Sequence, residues 1–372
     1  MPEKSSGLEG VVIGESRISS IIGTKLTYCG YEIDDLAENA EFEEVIFLLW
    51  NDRLPNEEEL ADLKSNLFKY MSVTSNNSEQ FKAFAENKGR AMAALRTSIS
   101  YIGIFDEKAD DMNEEANMNK AIRIQAAMPA VVADFERLRN GLETIAPKEE
   151  FGFAKNFLYM LFGEEPTDTQ VEAMNKALIL HADHEINAST FTARVCVATL
   201  SDLYSGTVAA IGALKGPLHG GANEQVMNML TEIGSVDKVE DYVYKKLENK
   251  EKIMGIGHRV YKDGDPRAKY LEDMAKRLTE ENGESELYDM SIKIAEIVEK
   301  EKGLLPNVDF FSASVYHSMG IPHDLFTPIF AVSRASGWLA HMMEQYRNNR
   351  LIRPRAEYVG HVGRKYEPIE ER

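Results

Sequence analysis

Histidine is missing from the first 180 residues of this 372-residue chain, and all eight histidines fall between His181 and His361. Any imidazole chemistry is therefore confined to the chain from residue 181 onward. Cysteine is scarce as well. Cys29 and Cys196 are the only two and have no metal-type spacing, which excludes a disulfide framework and a zinc knuckle. Cys196, inside the apolar "ARVCVATL", reads as a small core residue. Basic charge is in deficit: 42 Lys and Arg against 61 Asp and Glu give a net charge of −19. Such a chain is no non-specific nucleic-acid binder, since that role needs cations to replace phosphate counterions. It also repels small anions at long range, so an anionic ligand has to be captured by a local group of cations. A clean membrane span is absent too. The longest apolar tract, 325–343, carries Pro328, Ser333, Arg334, Ser336 and Gly337. The opening "MPEKSSGLEG" has no basic-then-apolar signal pattern, and a cytoplasmic protein is expected.

What is present is mostly helical periodicity. Residues 8–35 hold short β-branched runs, "GVVI", "SSII" and "LTY", broken by glycine and charge, and read as a few short strands. Beyond Glu41 the pattern turns helical. Val171, Met174, Leu178 and His181 share one face, as do Val236, Val239, Val243 and Leu247. "PTDTQVE" at 166–172 and "DGDPRAKY" at 263–270 carry helix-start signals. In the second, Asp265 suits a cap and Pro266 the first helical position. Short glycine-bearing breaks separate about fifteen to twenty expected helices. The length favours two domains, with no linker long enough to make them independent.

Several stretches carry chemistry-bearing side chains. "HADHE" sets His181 and His184 one helical turn apart. A metal pair is conceivable, but the spacing matches neither zinc-protease motif, and the residues alone favour an apolar face plus a structural hydrogen bond. In "KGPLHGGANE", His219 sits in a glycine turn before an expected helix near Ala222. That helix amino terminus would keep it neutral and able to donate a hydrogen bond. Asp309, in "LLPNVDFFSASVYHS", has an apolar frame that would raise its pKa for proton abstraction. A helix cap, shared with Asn307, is the simpler reading of it. Arg334 is the only formal charge between Asp324 and Glu344. A guanidinium cannot shed its proton, so it demands an anion from the protein or from a ligand. Arg350, Arg353 and Arg355 read as a solvated face. Finally, "IMGIGHRVYKDGDPRAKY" gathers His258, Arg259, Lys262 and Arg267 around a Gly-x-Gly. No preceding strand or third glycine makes this a dinucleotide fingerprint. Taken unaided, these residues describe an α-helical enzyme acting on a polyanion, with His and Asp in acid–base roles.

The segments "HADHEINAST", "GPLHGGANE", "MGIGHRVYKDGDPRAK", "PNVDFFSASVYHSMGIP" and "FAVSRASGWLAHMMEQ…RLIRPRAEY" stand in an order and spacing that resemble citrate synthase, in its short dimeric bacterial form. The resemblance runs from "GLEGVV" to "RPRAEYVG" and implies a mainly α, citrate synthase-like two-domain helical fold with a few short N-terminal strands. A large domain would span 1–219 plus 316–372, and a small one, 220–315, would close over the site. The implied activity is condensation of oxaloacetate with acetyl-CoA to citryl-CoA, then hydrolysis to citrate and CoA. By motif position, Asp309 resembles the base, His219 the donor to the enol oxygen, and His258 the group that polarises the oxaloacetate carbonyl. His184, Arg267 and Arg334 resemble ligands of the oxaloacetate carboxylates, while Asn187 and Phe330 fall in the substrate pocket. Arg353 resembles the arginine that a second subunit supplies, so a homodimer is implied. The backbone of Ile253, Met254, Gly255, Ile256 and Gly257 matches the loop that meets the CoA adenine, and Lys262 the cation near the CoA phosphates. No metal or cofactor is implied, the CoA thioester being a substrate. The nearest rival is 2-methylcitrate synthase, which uses propionyl-CoA. One methylene discriminates by only ~1–3 kcal/mol.

Overall fold

The computed structural model describes residues 6–8, 10–71, 82–84, 90–258, 260–261 and 263–372. Three short antiparallel strands come first: β1 (Ser19–Ile22), β2 (Lys25–Tyr28) and β3 (Tyr31–Glu32), in the order β1-β2-β3. Of the expected β-branched runs, "SSII" and "LTY" pair, with Ser19 opposite Tyr28 and Ile22 opposite Lys25. "GVVI" does not. Val12 is 87% exposed and no strand among the described residues lies beside it, so β-propensity has nothing to act on.

The rest is helical. The described helices are α1 (Ile33–Asn39), α2 (Phe42–Asn51), α3 (Glu57–Met71), α4 (Ala91–Ile104), α5 (Glu114–Arg139), α6 (Phe153–Phe162), α7 (Asp168–His181) and α8 (Ala188–Val197). They continue with α9 (Leu203–Leu214), α10 (Ala222–Ile233), α11 (Val239–Glu248), α12 (Ala268–Glu281), α13 (Ser285–Lys302), α14 (Val308–Ser318) and α15 (Phe326–Arg347). The sequence signals locate several ends. "PTDTQVE" opens α7 through a capping box between Thr167 and Gln170, and Met174, Leu178 and His181 on its periodic face are fully buried.

α15 is the axis of the molecule. Nearly every side chain from Phe326 to Met343 is buried, because α2, α5, α7, α8 and α9 pack around it. Pro328 falls in its first turn, where a missing N–H breaks no helical bond. A second group consists of α10–α14, with α14 packed on both α10 and α12, and α11 on α13. It meets the first where α12 and α14 touch α7 and where α10 touches α15. The apolar core runs through both groups without a break. No helix among the described residues is long and apolar enough to cross a membrane.

Candidate active site

The α7–α8 turn, residues 182–187, is held from below by the small sheet. Tyr28 Oη lies 3.1 Å from the carbonyls of Ile179 and Asp183 and accepts the Asp183 N–H at 3.2 Å. Ser19 Oγ donates to Asp183 and accepts the Glu185 N–H at 2.9 Å, while Glu185 Oε1 accepts the Ile21 N–H at 2.8 Å. Asp183 is fully buried and pairs with His341 of α15 at 3.1 Å. Burial pushes its carboxyl up, but His341, Arg334 and Ser19 together hold it below the usual carboxylate range. Gly337 makes this packing possible. A Cβ there would stand 2.4 Å from both the Ala182 carbonyl and Asp183 Oδ1.

His184 projects from this turn towards His258 and Tyr261, with ring centroids 5.3 Å and 5.5 Å away. Its Nε2 is 3.1 Å from Tyr261 Oη. Burial, then Arg267, Arg334 and His258, drive its pKa well below that of a free imidazole, so it is neutral. His258 accepts the N–H groups of Val260 and Tyr261 at Nδ1, at 3.0 Å and 3.2 Å, which leaves its ring proton on Nε2.

His219 is set the opposite way round. The backbone N–H of Ser189, near the start of α8, points at its Nε2 from 3.3 Å, and Ser189 Oγ is 2.7 Å from the same nitrogen. A backbone N–H can only donate, so Nε2 carries the lone pair and Nδ1 the proton. Trp338 Nε1 donates to Ser189 Oγ at 3.0 Å, and Asn187 Oδ1 is 2.8 Å from that oxygen. Asn187 is also the N-cap of α8, accepting the Thr190 N–H at 3.1 Å. Burial and then Arg334 depress the His219 pKa to about 4. The neutral donor expected from the sequence is therefore present, but the helix terminus that meets it is that of α8, not the one near Ala222.

Asp309 occupies the first turn of α14, its N–H bonded at 3.0 Å to Asn307, the cap residue. The cap and the carboxylate are thus separate residues. Burial, which outweighs the opposing pull of Arg267 and Arg334, raises Asp309 to about 6. Arg267 is buried against Asp265, which takes its Nε at 2.9 Å and its Nη2 at 2.8 Å. Asp265 also accepts the N–H groups of Arg267 (3.1 Å) and Val308 (3.0 Å). The expected start of α12 at Pro266 is corrected here. The helix begins at Ala268 with Arg267 as its N-cap residue, because Asp265 is committed to the guanidinium and to α14.

Arg334 is 2% exposed. Its Nε donates to the His181 carbonyl at 2.7 Å, and its guanidinium lies 4.8 Å from the centre of the Phe330 ring. Among the described residues no carboxylate oxygen comes within 4.0 Å of it. Burial lowers its pKa to about 10 against the distant pull of Asp183, which still leaves it charged at neutral pH. Phe330 meets His181 and His219 edge-on at 5.0 Å and 6.5 Å. His181 itself is fully buried and bonded at Nδ1 to the Ala177 carbonyl, as the structural reading of it supposed.

The Ile253–Gly257 loop runs beside 304–307. Gly257 N–H donates to the Leu305 carbonyl at 2.8 Å, the Gly255 carbonyl accepts Asn307 N–H at 2.9 Å, and the Gly257 carbonyl accepts Asn307 Nδ2 at 2.8 Å. Both glycines have φ in the left-handed region, and a Cβ on Gly255 would stand 2.9 Å from Phe310 Cα. Ile253 is buried, whereas Met254 and Ile256 are half-buried. Lys262 and Arg259 lie outside the described residues. Arg353 is exposed in the extended tail after α15, as is Arg355, and no described contact brings either to the site of its own chain. Sequence reasoning missed Asp183, Ser189, Tyr261, Asp265 as a counter-ion, and His341. Among the described residues no group of three or more His, Cys, Asp or Glu is arranged to hold a metal ion.

Neutral imidazole donors, a carboxyl poised near pH 6 and two buried guanidiniums are the outfit of an acyl-transferring, condensing enzyme. The chain belongs to the citrate synthase family. The family model "Citrate synthase, C-terminal domain" matches residues 7–355. Citrate synthase 2 of Bacillus subtilis is 66% identical over 366 residues, which cover 98% of each chain. The 2-methylcitrate synthase of Shewanella oneidensis is 41% identical over 99% of this chain and 98% of its own. Among solved structures, citrate synthase from Pyrobaculum aerophilum superposes with a TM-score of 0.93 at 40% identity, covering 98% of this chain and 95% of that one. Citrate synthase from Thermoplasma acidophilum, in a ternary complex with carboxymethyl coenzyme A and oxaloacetate, gives 0.91 at 37% identity over 98% of both chains.

Proposed function

We propose that this enzyme condenses oxaloacetate with acetyl-CoA and water to give citrate and CoA. The observation that carries the reading is Arg334, a buried cation with no carboxylate partner among the described residues, beside two neutral histidines and a high-pKa aspartate. A dicarboxylate would meet Arg334, Arg267 and His184, with Asn187 and Phe330 shaping the pocket. Asp309 takes a methyl proton from the acetyl thioester while His219 Nδ1–H donates to its oxygen, so the carbanion is drawn off as an enol. His258, with its proton on Nε2, polarises the oxaloacetate carbonyl. The enol carbon attacks that carbonyl, the new alkoxide takes a proton from His258, and citryl-CoA results. Water then cleaves the thioester, giving the carboxylate of citrate and the thiol of CoA.

The CoA adenine would lie along the backbone of Ile253–Gly257 with Lys262 near its phosphates. Residues 220–315, a domain carrying His258, Arg267 and Asp309, would close against the domain formed by 1–219 and 316–372. Arg353 would act in the site of a second copy, making the working unit a homodimer; its position on an exposed extended tail supports this. The chemistry needs no metal or prosthetic group, because the acid, base and anion-binding groups are all side chains. A cytoplasmic location belongs to the same proposal, supported by the unpaired thiols of Cys29 and Cys196.

Acetyl-CoA is favoured over propionyl-CoA because the relative at 66% identity is named a citrate synthase and the 2-methylcitrate synthase stands at 41%. Oxaloacetate-dependent release of the CoA thiol, followed with both acyl donors, tests the whole reading. Release with a higher kcat/KM for acetyl-CoA is expected. A propionyl-CoA preference would move the enzyme to the 2-methylcitrate reaction, and no oxaloacetate dependence would sink both.

A further inference from the structure

Tyr261 packs against both histidines on the oxaloacetate side of the site, yet it has so far been given no role. It is 3% exposed, and its ring centre is 4.7 Å from that of His258 and 5.5 Å from that of His184. The Arg267 guanidinium stands 6.0 Å over the same ring. Its hydroxyl is 3.1 Å from His184 Nε2, and its backbone N–H donates to His258 Nδ1 at 3.2 Å. One residue therefore touches both imidazoles, through its hydroxyl, its ring and its main chain. His184 needs such a partner. Its ring is neutral and packed among cations, and the terminal torsion of a histidine is broad unless a hydrogen bond fixes it.

We propose that Tyr261 is a positioning residue for oxaloacetate: its hydroxyl anchors His184 Nε2 and its ring holds His184 and His258 at their working separation. Burial pushes the phenol above its ordinary pKa, so the hydroxyl keeps its proton throughout the neutral range. A hydroxyl both donates and accepts, and the anchor therefore holds His184 in either tautomer. Removing it lets the ring turn, and the ligand then has to order the ring as it binds. The loss falls on the oxaloacetate half of the site, because His219 has its own support in Ser189 and the helix start that carries Asp309 is capped by Asn307.

This inference rests on the function proposed above. Its test is steady-state kinetics of Tyr261→Phe, with both substrates varied in turn. Loss of one neutral hydrogen bond is expected to raise KM for oxaloacetate about three- to ten-fold. The KM for acetyl-CoA and the melting temperature should stay at wild-type values. Tyr261→Leu, which also removes the ring, should in addition lower kcat through His258. An unchanged or reduced KM for oxaloacetate in Tyr261→Phe would overturn the inference, the reduction meaning that the hydroxyl competes with the ligand. An equal rise in both KM values would overturn it too, as the mark of a merely structural role. A wild-type enzyme without oxaloacetate dependence would bring down the proposed function and this inference together, whereas an active wild type with an unaltered Tyr261→Phe brings down this inference alone.

Discussion

Two buried arginines, Arg267 and Arg334, are 3% and 2% exposed, and the molecule treats them in opposite ways. Arg267 is gripped by Asp265 along its Nε and Nη2 edge, and each group stabilises the other's charge. Burial works against both, yet Asp265 is held below the ordinary carboxylate range and Arg267 is raised. Among the described residues Arg334 has a bond to a carbonyl and a phenyl face, but no carboxylate. Asp309, the carboxyl that would suit it, is not within 4.0 Å and rises to about 6. One corner of the site is thus settled when the chain folds, and the other is left with charges that only a ligand can answer. A protein gains nothing in stability by keeping a buried cation and a buried carboxyl apart, so that separation marks where binding and proton transfer happen.

The largest expected effects fall on the unanswered side, in turnover. Asp309→Asn removes the base and should lower kcat by about 10²–10⁴, and His219→Ala removes the enol-side donor and should cost about 10²–10³. Steady-state CoA release measures both, and near-wild-type turnover in Asp309→Asn would erase its role as base. Next comes stability on the answered side. Arg267→Met strands Asp265 in the interior and should destabilise the fold by about 3–5 kcal/mol in denaturant titration. Arg334→Met strands no adjacent carboxylate and should leave stability within about 1 kcal/mol of wild type, or raise it. Equal losses in the two variants would break the comparison.

A smaller effect sharpens it. The folded-state pKa of Asp309 is raised, so the native state holds its proton more tightly than the unfolded chain does. Stability from this group is therefore complete below the ordinary aspartate pKa and fades as pH climbs through about 6. Asp309→Asn should gain up to about 3 kcal/mol over wild type at pH 8 and nothing at pH 3.5, read as melting temperatures at both. The same ionisation should give kcat/KM an acid limb near pH 6, since His219, at about 4, is already neutral there. The smallest expected effect is none at all: a chelator should leave turnover unchanged.

How much of this was legible beforehand depended on whether a residue's role is local. Arg334 announced itself through physics, as a lone charge in an apolar helix, and a neutral His219 was expected from a nearby helix terminus, although burial and Arg334 are what depress its pKa. Which terminus it was could not be read. Ser189 lies thirty residues upstream and is held by Trp338 from α15, a contact with no local periodicity. Asp183 and His341 are equally remote in sequence, joined only because Gly337 lets two backbones approach. Asp265 looked like a helix cap because its local setting is that of one. Only the fold shows that its two oxygens are used on Arg267 and Val308. The roles of His258 and of the 253–257 loop came from resemblance to a family, since a Gly-x-Gly and one histidine carry little by themselves.

The central claim is that the charge of Arg334 is kept for a substrate carboxylate. Calorimetric titration of oxaloacetate into wild-type enzyme and into Arg334→Met tests it most directly. The account predicts saturable binding by the wild type and at least a hundred-fold weaker binding, about 3 kcal/mol, by a folded Arg334→Met. Equal affinity in the two proteins would contradict it.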